Sequence, residues 1–176
     1  MSSDQCNMDR ISIQRIGPIE SATFDLRRVN LFIGPQASGK STLAKAAYWM
    51  KSLDHEIVSE TSALAQNQDF KARVEERLKT RFRAFFPSSA RNLEQISWVR
   101  DQNPVLTVRR VSGKVELESS PQFSNLLEEL GNFLAEKEHK TASLEDELAF
   151  DRIIRKKVAT GLGINTYSYF IPAGRT

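Results

Sequence analysis

No stretch of about 18 apolar residues occurs in this sequence, so no transmembrane helix is expected. Disulfides are excluded within the chain, because Cys6 is its one cysteine, which fits a reducing, cytoplasmic setting. The opening residues, Met1-Ser2-Ser3-Asp4-Gln5-Cys6, lack the basic region and apolar core of a secretory signal. A large excess of one charge is also missing. The 25 basic and 22 acidic residues leave a net charge of +3, which does not by itself imply nucleic acid. The two histidines, His55 and His139, sit in polar stretches with nothing to pair them as metal ligands, and both are expected at the surface. Neither an internal repeat nor a low-complexity tract is visible. What remains, 176 residues with 40% hydrophobic and 27% charged side chains, suits one soluble domain.

Hydrophobic periodicity organises the chain. Residues 10–16 alternate apolar and polar, as a half-buried strand does; Gly17-Pro18 supplies a turn, and 21–26 reads as a second strand. Val29-Asn30-Leu31-Phe32-Ile33 is a nearly continuous apolar run, the pattern of a strand buried on both faces. Leu43, Ala47, Met50 and Leu53 then mark one face of a helix, and 54–68 combines more helix with a polar loop. Phe70, Val74, Leu78, Phe82 and Phe86 recur every four residues and predict an amphipathic helix stopped by Pro87. Residues 94–118 read as an antiparallel meander, with a break at Asn103-Pro104 and a tight turn at Ser112-Gly113. Phe123, Leu126, Leu127, Leu130, Phe133 and Leu134 form the stripe of a further helix. Another helix is expected near 143–160, ended by Gly161 and Gly163, with a strand at 167–171.

Chemistry concentrates in Gly34-Pro35-Gln36-Ala37-Ser38-Gly39-Lys40-Ser41. This is the pattern G-x-x-x-x-G-K-[ST], which a chain of this length matches by chance in roughly 0.5–1% of cases. It lies between an apolar run and an amphipathic helix, where a phosphate-binding loop belongs. Small residues let backbone N–H groups turn inward around phosphate oxygens. A helix beginning near Gly39 aims its positive dipole end at the same anion. Lys40 is expected on the β- and γ-phosphates, the Ser41 hydroxyl on Mg²⁺, and Thr42 on the α-phosphate. Gly34 and Gly39 are expected where side chains would strike phosphate or strain the turn. Hydrolysis needs more: an acidic residue for the metal and a group that orients water. No apolar strand-like run ending in Asp-Glu occurs. Asp146, Glu147 and Asp151 fall in helical patterns. The guanine-reading Asn-Lys-x-Asp and a downstream Asp-x-x-Gly are absent, which favours ATP over GTP.

The stretch from Ile11 to Met50, with its I-x-x-I-G-P-I turn and the loop above, resembles the N-terminus of bacterial AAA-type ATPases. Within these it resembles the ABC/SMC/RecF-like group, which includes OLD-like ATPases of phage-defence systems. That group often has Asn-Gly where this chain has Gln36-Ala37, and Ala37, being small, is expected to fit. The ending Tyr169-Phe170-Ile171-Pro172-Ala173-Gly174-Arg175-Thr176 resembles a second motif of the group. The resemblance implies an α/β P-loop NTPase fold. The chain is then a single partial domain, the N-terminal lobe of an ATPase head: 10–53 a hairpin, phosphate loop and helix, 54–163 a helical and β-meander insertion, and 165–176 a returning strand. It also implies ATP and Mg²⁺ as ligands, Arg175 near the nucleotide or a dimer surface, and a homodimer of heads in a longer protein. A DNA or nuclease partner is implied as well. The group's Leu-Ser-Gly-Gly-like signature, acidic strand and switch histidine are not in this sequence, so efficient turnover is not expected.

Two other readings compete. A small P-loop kinase has a suitable length, but such kinases usually begin with the loop-bearing strand and need an arginine-rich lid. A non-catalytic module for nucleic acid or a partner protein is motivated by basic clusters. Between residues 69 and 91 stand seven basic residues, Lys71, Arg73, Arg77, Lys79, Arg81, Arg83 and Arg91, against three acidic ones. Arg152, Arg155, Lys156 and Lys157 form a second cluster. Each cluster is either a solvated helix face or a phosphate-tracking surface.

Overall fold

The computed structural model describes residues 9–27, 29–61, 69–87, 93–137 and 144–163. Alternation at the start of the chain produces β1 (Asp9–Ile16) and β2 (Ile19–Asp25), an antiparallel hairpin closed at Gly17-Pro18 with Ile16 opposite Ile19. Gly17 turns at φ 55°, a left-handed conformation that glycine adopts without a Cβ penalty. The meander follows as β3 (Leu93–Arg100), β4 (Asn103–Val111) and β5 (Lys114–Ser119). Ser112 and Gly113, at φ 49° and 81°, make the β4–β5 turn, as two left-handed residues do in a tight hairpin. β3 pairs antiparallel with β1, from Asp9 opposite Arg100 to Gln14 opposite Gln95. Hairpin and meander are therefore one five-stranded antiparallel sheet, ordered β2-β1-β3-β4-β5.

Among the described residues five helices accompany the sheet: α1 (Lys40–Lys51), α2 (Leu53–Thr61), α3 (Phe70–Phe85), α4 (Pro121–Lys137) and α5 (Leu144–Leu162). α3 follows its four-residue apolar repeat. The Asp69 carboxylate caps it, accepting from the Lys71 and Ala72 amides at 3.0 and 3.4 Å. The helix stops one residue before Phe86, just ahead of Pro87. Ile11 and Ile13 of β1, Ile96 and Trp98 of β3, and Leu106 and Val108 of β4 share one sheet face. Against it pack Trp49 and Met50 of α1, Leu78 and Phe82 of α3, and Leu127 and Leu130 of α4. The opposite face is polar, with Ser12, Thr23, Ser97 and Thr107 adjacent across four strands.

Three expectations need correction. Residues 29–33 do not form a buried strand. The run forms neither helix nor strand, bends at Val29 and joins no sheet, and Val29, Leu31 and Ile33 are 79, 80 and 84% exposed. An apolar run signals a buried strand only where neighbouring strands and covering layers exist, and the described residues supply neither. Asn103-Pro104 does not break the meander. Pro104 lies inside β4 opposite Val99, where the register shifts, and the turn is Asp101-Gln102, both at positive φ. Gly161 does not end α5 but lies within it. A Cβ there would come within 2.5 Å of Leu126 Cδ1, so this glycine lets α5 approach α4. Gly163, at φ 62°, follows the helix end. The strand expected at 167–171, together with Arg175 and His139, lies outside the described residues.

Candidate functional site

The run before the loop is tethered by one face. Asn30 Nδ2 donates to the Asp25 carbonyl at 2.8 Å, and Asn30 Oδ1 accepts from the Arg27 amide at 3.1 Å. Phe32 meets Phe24 of β2 edge-on, with ring centroids 5.1 Å apart. The Asp25 carboxyl is held below the usual carboxylate range by hydrogen bonds from Arg27 and then Arg10. The Lys51 amine, on the last turn of α1, donates to the Arg27 carbonyl; burial lowers its pKa. These contacts set where the chain enters the loop and how it leaves along α1.

Gly34, Pro35, Gln36, Ala37 and Ser38 are exposed, Gly39 is buried, Lys40 and Thr42 are half-buried, and Ser41 is exposed. Lys40 Nζ donates back to the Pro35 carbonyl and lies 3.5 Å from Ser38 Oγ. The loop is thus folded around its own ammonium group. α1 begins at Lys40 with Gly39 as its N-cap, no side chain caps it, and no acidic residue stands in its first turn. The first amides of a helix have no intrahelical acceptor, so this end presents N–H groups and a positive partial charge beside the lysine. That combination suits a polyanion. Magnesium fits the same place in a limited way. Mg²⁺ is usually held by one or two protein oxygens plus phosphates and water. The exposed Ser41 hydroxyl can supply one such oxygen. No cluster of three His, Cys, Asp or Glu able to hold a metal occurs among the described residues.

Two loop positions act for reasons the sequence does not display. Gly39 sits at φ 92°, and a Cβ there would come within 2.2 Å of Ile19 Cδ1 and 3.3 Å of Pro18 Cγ. Its smallness serves the β1–β2 hairpin, whose tip presses on the start of α1. The Thr42 hydroxyl faces that tip too, 3.4 Å from where Gly17 would carry a Cβ. Ala37 has the right size but the wrong backbone preference. It sits at φ 62°, a left-handed conformation that costs an L-residue about 1–2 kcal/mol. Ala37→Gly is therefore expected to stabilise the protein by about 0.5–1 kcal/mol in denaturant titration. A destabilisation would show that φ at this position is not the controlling term.

The basic helix is largely self-neutralised. Arg73 Nη2 donates to Glu60 at 2.9 Å, and Arg77 donates to Glu56 at 2.6 Å and to Glu60 at 2.7 Å; Arg81 also donates to Glu56. Glu56 and Glu60 are buried residues of α2. Lys71 pairs with Glu128 at 2.8 Å and Arg83 with Glu76 at 3.0 Å. An open groove of about 590 Å³ between α2 and α3 is lined by Glu56, Glu60, Arg73, Arg77 and Arg81, whose charges already answer one another. In the second cluster, Arg155 pairs with Asp151 at 2.7 Å, and Lys157 lies over the Phe133 ring. Asp151, like Asp146 and Glu147, belongs to α5. His55 is exposed, 3.5 Å from Glu56.

No family model, curated protein or solved structure matches the chain.

Proposed function

We propose that this chain binds ATP with Mg²⁺ at the loop 34–41, in the manner of an ABC/SMC-like AAA ATPase lobe. The observation that carries this is the loop itself. The G-x-x-x-x-G-K-S pattern runs directly into α1, whose uncapped start places N–H groups beside Lys40. Lys40 leaves the Pro35 carbonyl for the β- and γ-phosphates, Ser41 offers its hydroxyl to the metal, and the backbone of 34–39 surrounds phosphate oxygens. Bound magnesium supplies neutralisation of the phosphate charge. Turnover by the chain alone is negligible, because the sequence has no apolar strand-like run ending in an acidic pair to hold the metal. From the same resemblance we propose assembly as a homodimer of heads in a longer protein, a DNA or nuclease partner and a role in phage defence. Arg73, Arg77 and Arg81 of α3 do not favour the kinase or nucleic-acid readings, since they face Glu56 and Glu60.

Calorimetric titration of the chain with ATP in excess Mg²⁺ tests the reading. Saturable binding is expected, weakened about 10- to 100-fold in Lys40→Ala, the loss of a charged hydrogen bond worth ~1.5–3 kcal/mol. Equal affinity of the wild type and Lys40→Ala would remove the loop as the site. A turnover of about 1 s⁻¹, abolished by Lys40→Ala, would overturn the non-catalytic part.

A further inference from the structure

The outer layer formed by α4 and α5 carries charges that nothing among the described residues answers. The two helices pack side by side and run antiparallel. Near the start of α4, Leu126 Cδ1 lies 2.5 Å from where Gly161, near the end of α5, would carry a Cβ. Further along α4, Phe133 stacks on Phe150 with ring centroids 5.6 Å apart, and Lys157 Nζ lies 5.1 Å from the centroid of the same Phe133 ring. Phe133 is therefore level with the turn of α5 between Phe150 and Lys157.

Helical period fixes what flanks these contacts. Glu129 and Glu136 stand about one turn before and one turn after Phe133, on the α5 side of α4. Both are exposed, and neither has an ion-pair partner among the described residues. On α5, Ile153 lies between Phe150 and Lys157 on the stripe that borders α4, yet it is 43% exposed. Arg152 and Lys156 stand beside it, exposed and likewise without an ion-pair partner among the described residues. Acids thus line one helix of the layer and bases the other, with an aliphatic side chain at the boundary.

A surface of this pattern is complementary to itself. We infer that two copies of this chain dock face to face through α4 and α5, about a two-fold axis that runs along the helices between them, as an antiparallel four-helix arrangement. Charge selects the axis. A two-fold axis along the helices keeps each residue at its own level and lays α4 of one copy on α5 of the other. Glu129, level with the turn of Lys156 and Lys157, then meets Lys156 of the second copy. Glu136 meets the turn that carries Arg152, and symmetry repeats each contact. The two Ile153 side chains approach each other across the axis. An axis across the helices would instead lay α4 on α4 and α5 on α5, acid on acid and base on base. Helices ~25 Å long and ~10 Å apart give a face of roughly 500 Å² per copy, at the low end for a specific interface, so the dimer is weak and salt-sensitive. The pairing uses no residue of the phosphate loop and needs no nucleotide, which separates it from the assembly of heads proposed above.

Sedimentation equilibrium of the full chain without nucleotide tests it. At about 100 μM and low salt the wild type is expected as dimer in exchange with monomer, moving to monomer at about 1 M salt, where the screening length falls to ~3 Å. Glu129→Lys with Glu136→Lys sets base against base and should weaken self-association about 10-fold or more. Arg152→Glu with Lys156→Glu sets acid against acid and should do the same. Mixed in equal amounts, the two double variants regain opposite charges at every contact and should form a mixed dimer at least as tight as that of the wild type. Unchanged circular dichroism and thermal midpoints are the control for folding, since all four positions are exposed. A wild type that stays monomeric at low salt overturns the inference. So does a dimer that salt or either charge reversal leaves intact, or a mixture of the two variants that remains monomeric.

Discussion

Glu94→Ala is expected to lower the stability of the fold by about 3–5 kcal/mol, because it strands a buried guanidinium. Glu94 and Arg110 are 1% and 4% exposed and face each other across β3 and β4. Arg110 donates to the Glu94 carboxylate and to the Phe86 carbonyl at the end of α3, and lies over the Phe82 ring. The pair thus ties the meander to the helix that fills the core. A buried ion pair need not be a net stabiliser, since desolvation of both charges opposes their attraction. The informative comparison is therefore with the pair removed together. Glu94→Leu with Arg110→Met is expected to recover most of the loss, less about 1–3 kcal/mol for the Phe86 carbonyl left without its donor. Denaturant midpoints for the single and double variants decide this. If Glu94→Ala unfolds at the wild-type midpoint, or the double variant is as weak as the single, the stranded-charge account is wrong.

That pair also shows where reading the sequence stops. The four-residue repeat from Phe70 to Phe86 placed α3, and alternation placed β1 and the meander, because each element buries one face with a fixed period. Nothing periodic marks Glu94 or Arg110. A charged residue on a strand reads as solvent-facing until its partner, sixteen residues away on the next strand, is known. Glu56 and Glu60 are similar: their burial depends on arginines of α3 that only the packing of α2 against α3 brings within reach. The run 29–33 fails in the opposite sense. Its composition states that it should be covered, while coverage itself is a property of neighbours. The candidate site was more legible, since the order of residues in the loop carries its chemistry locally. What the motif could not show was that Gly39 answers to the hairpin, or that Ala37 occupies a glycine-like conformation.

The hairpin contact makes Gly39→Ala the most demanding single-methyl change in the loop. Two effects combine. The residue sits at φ 92°, outside the range an alanine readily adopts, and the new Cβ would lie 2.2 Å from Ile19 Cδ1 and 2.9 Å from Ile19 Cγ1. Strain of about 1–2 kcal/mol and overpacking of about 1–3 kcal/mol predict a total loss of roughly 2–5 kcal/mol. The two can be separated, because only the second depends on Ile19. Ile19→Ala alone opens a cavity and destabilises. Combined with Gly39→Ala it also removes the obstruction, so the double variant should be more stable than the sum of the single effects by about 1–3 kcal/mol. Strictly additive losses would show that the backbone conformation alone makes Gly39 necessary. The same variants report on function. If the cap geometry at Gly39 shapes the anion site, the thermal stabilisation expected of the wild type from the proposed binding of ATP with Mg²⁺ should be lost in Gly39→Ala and in the double variant alike. If it returns once Ile19 is trimmed, the hairpin contact, and not the left-handed cap, is what holds the loop open to phosphate.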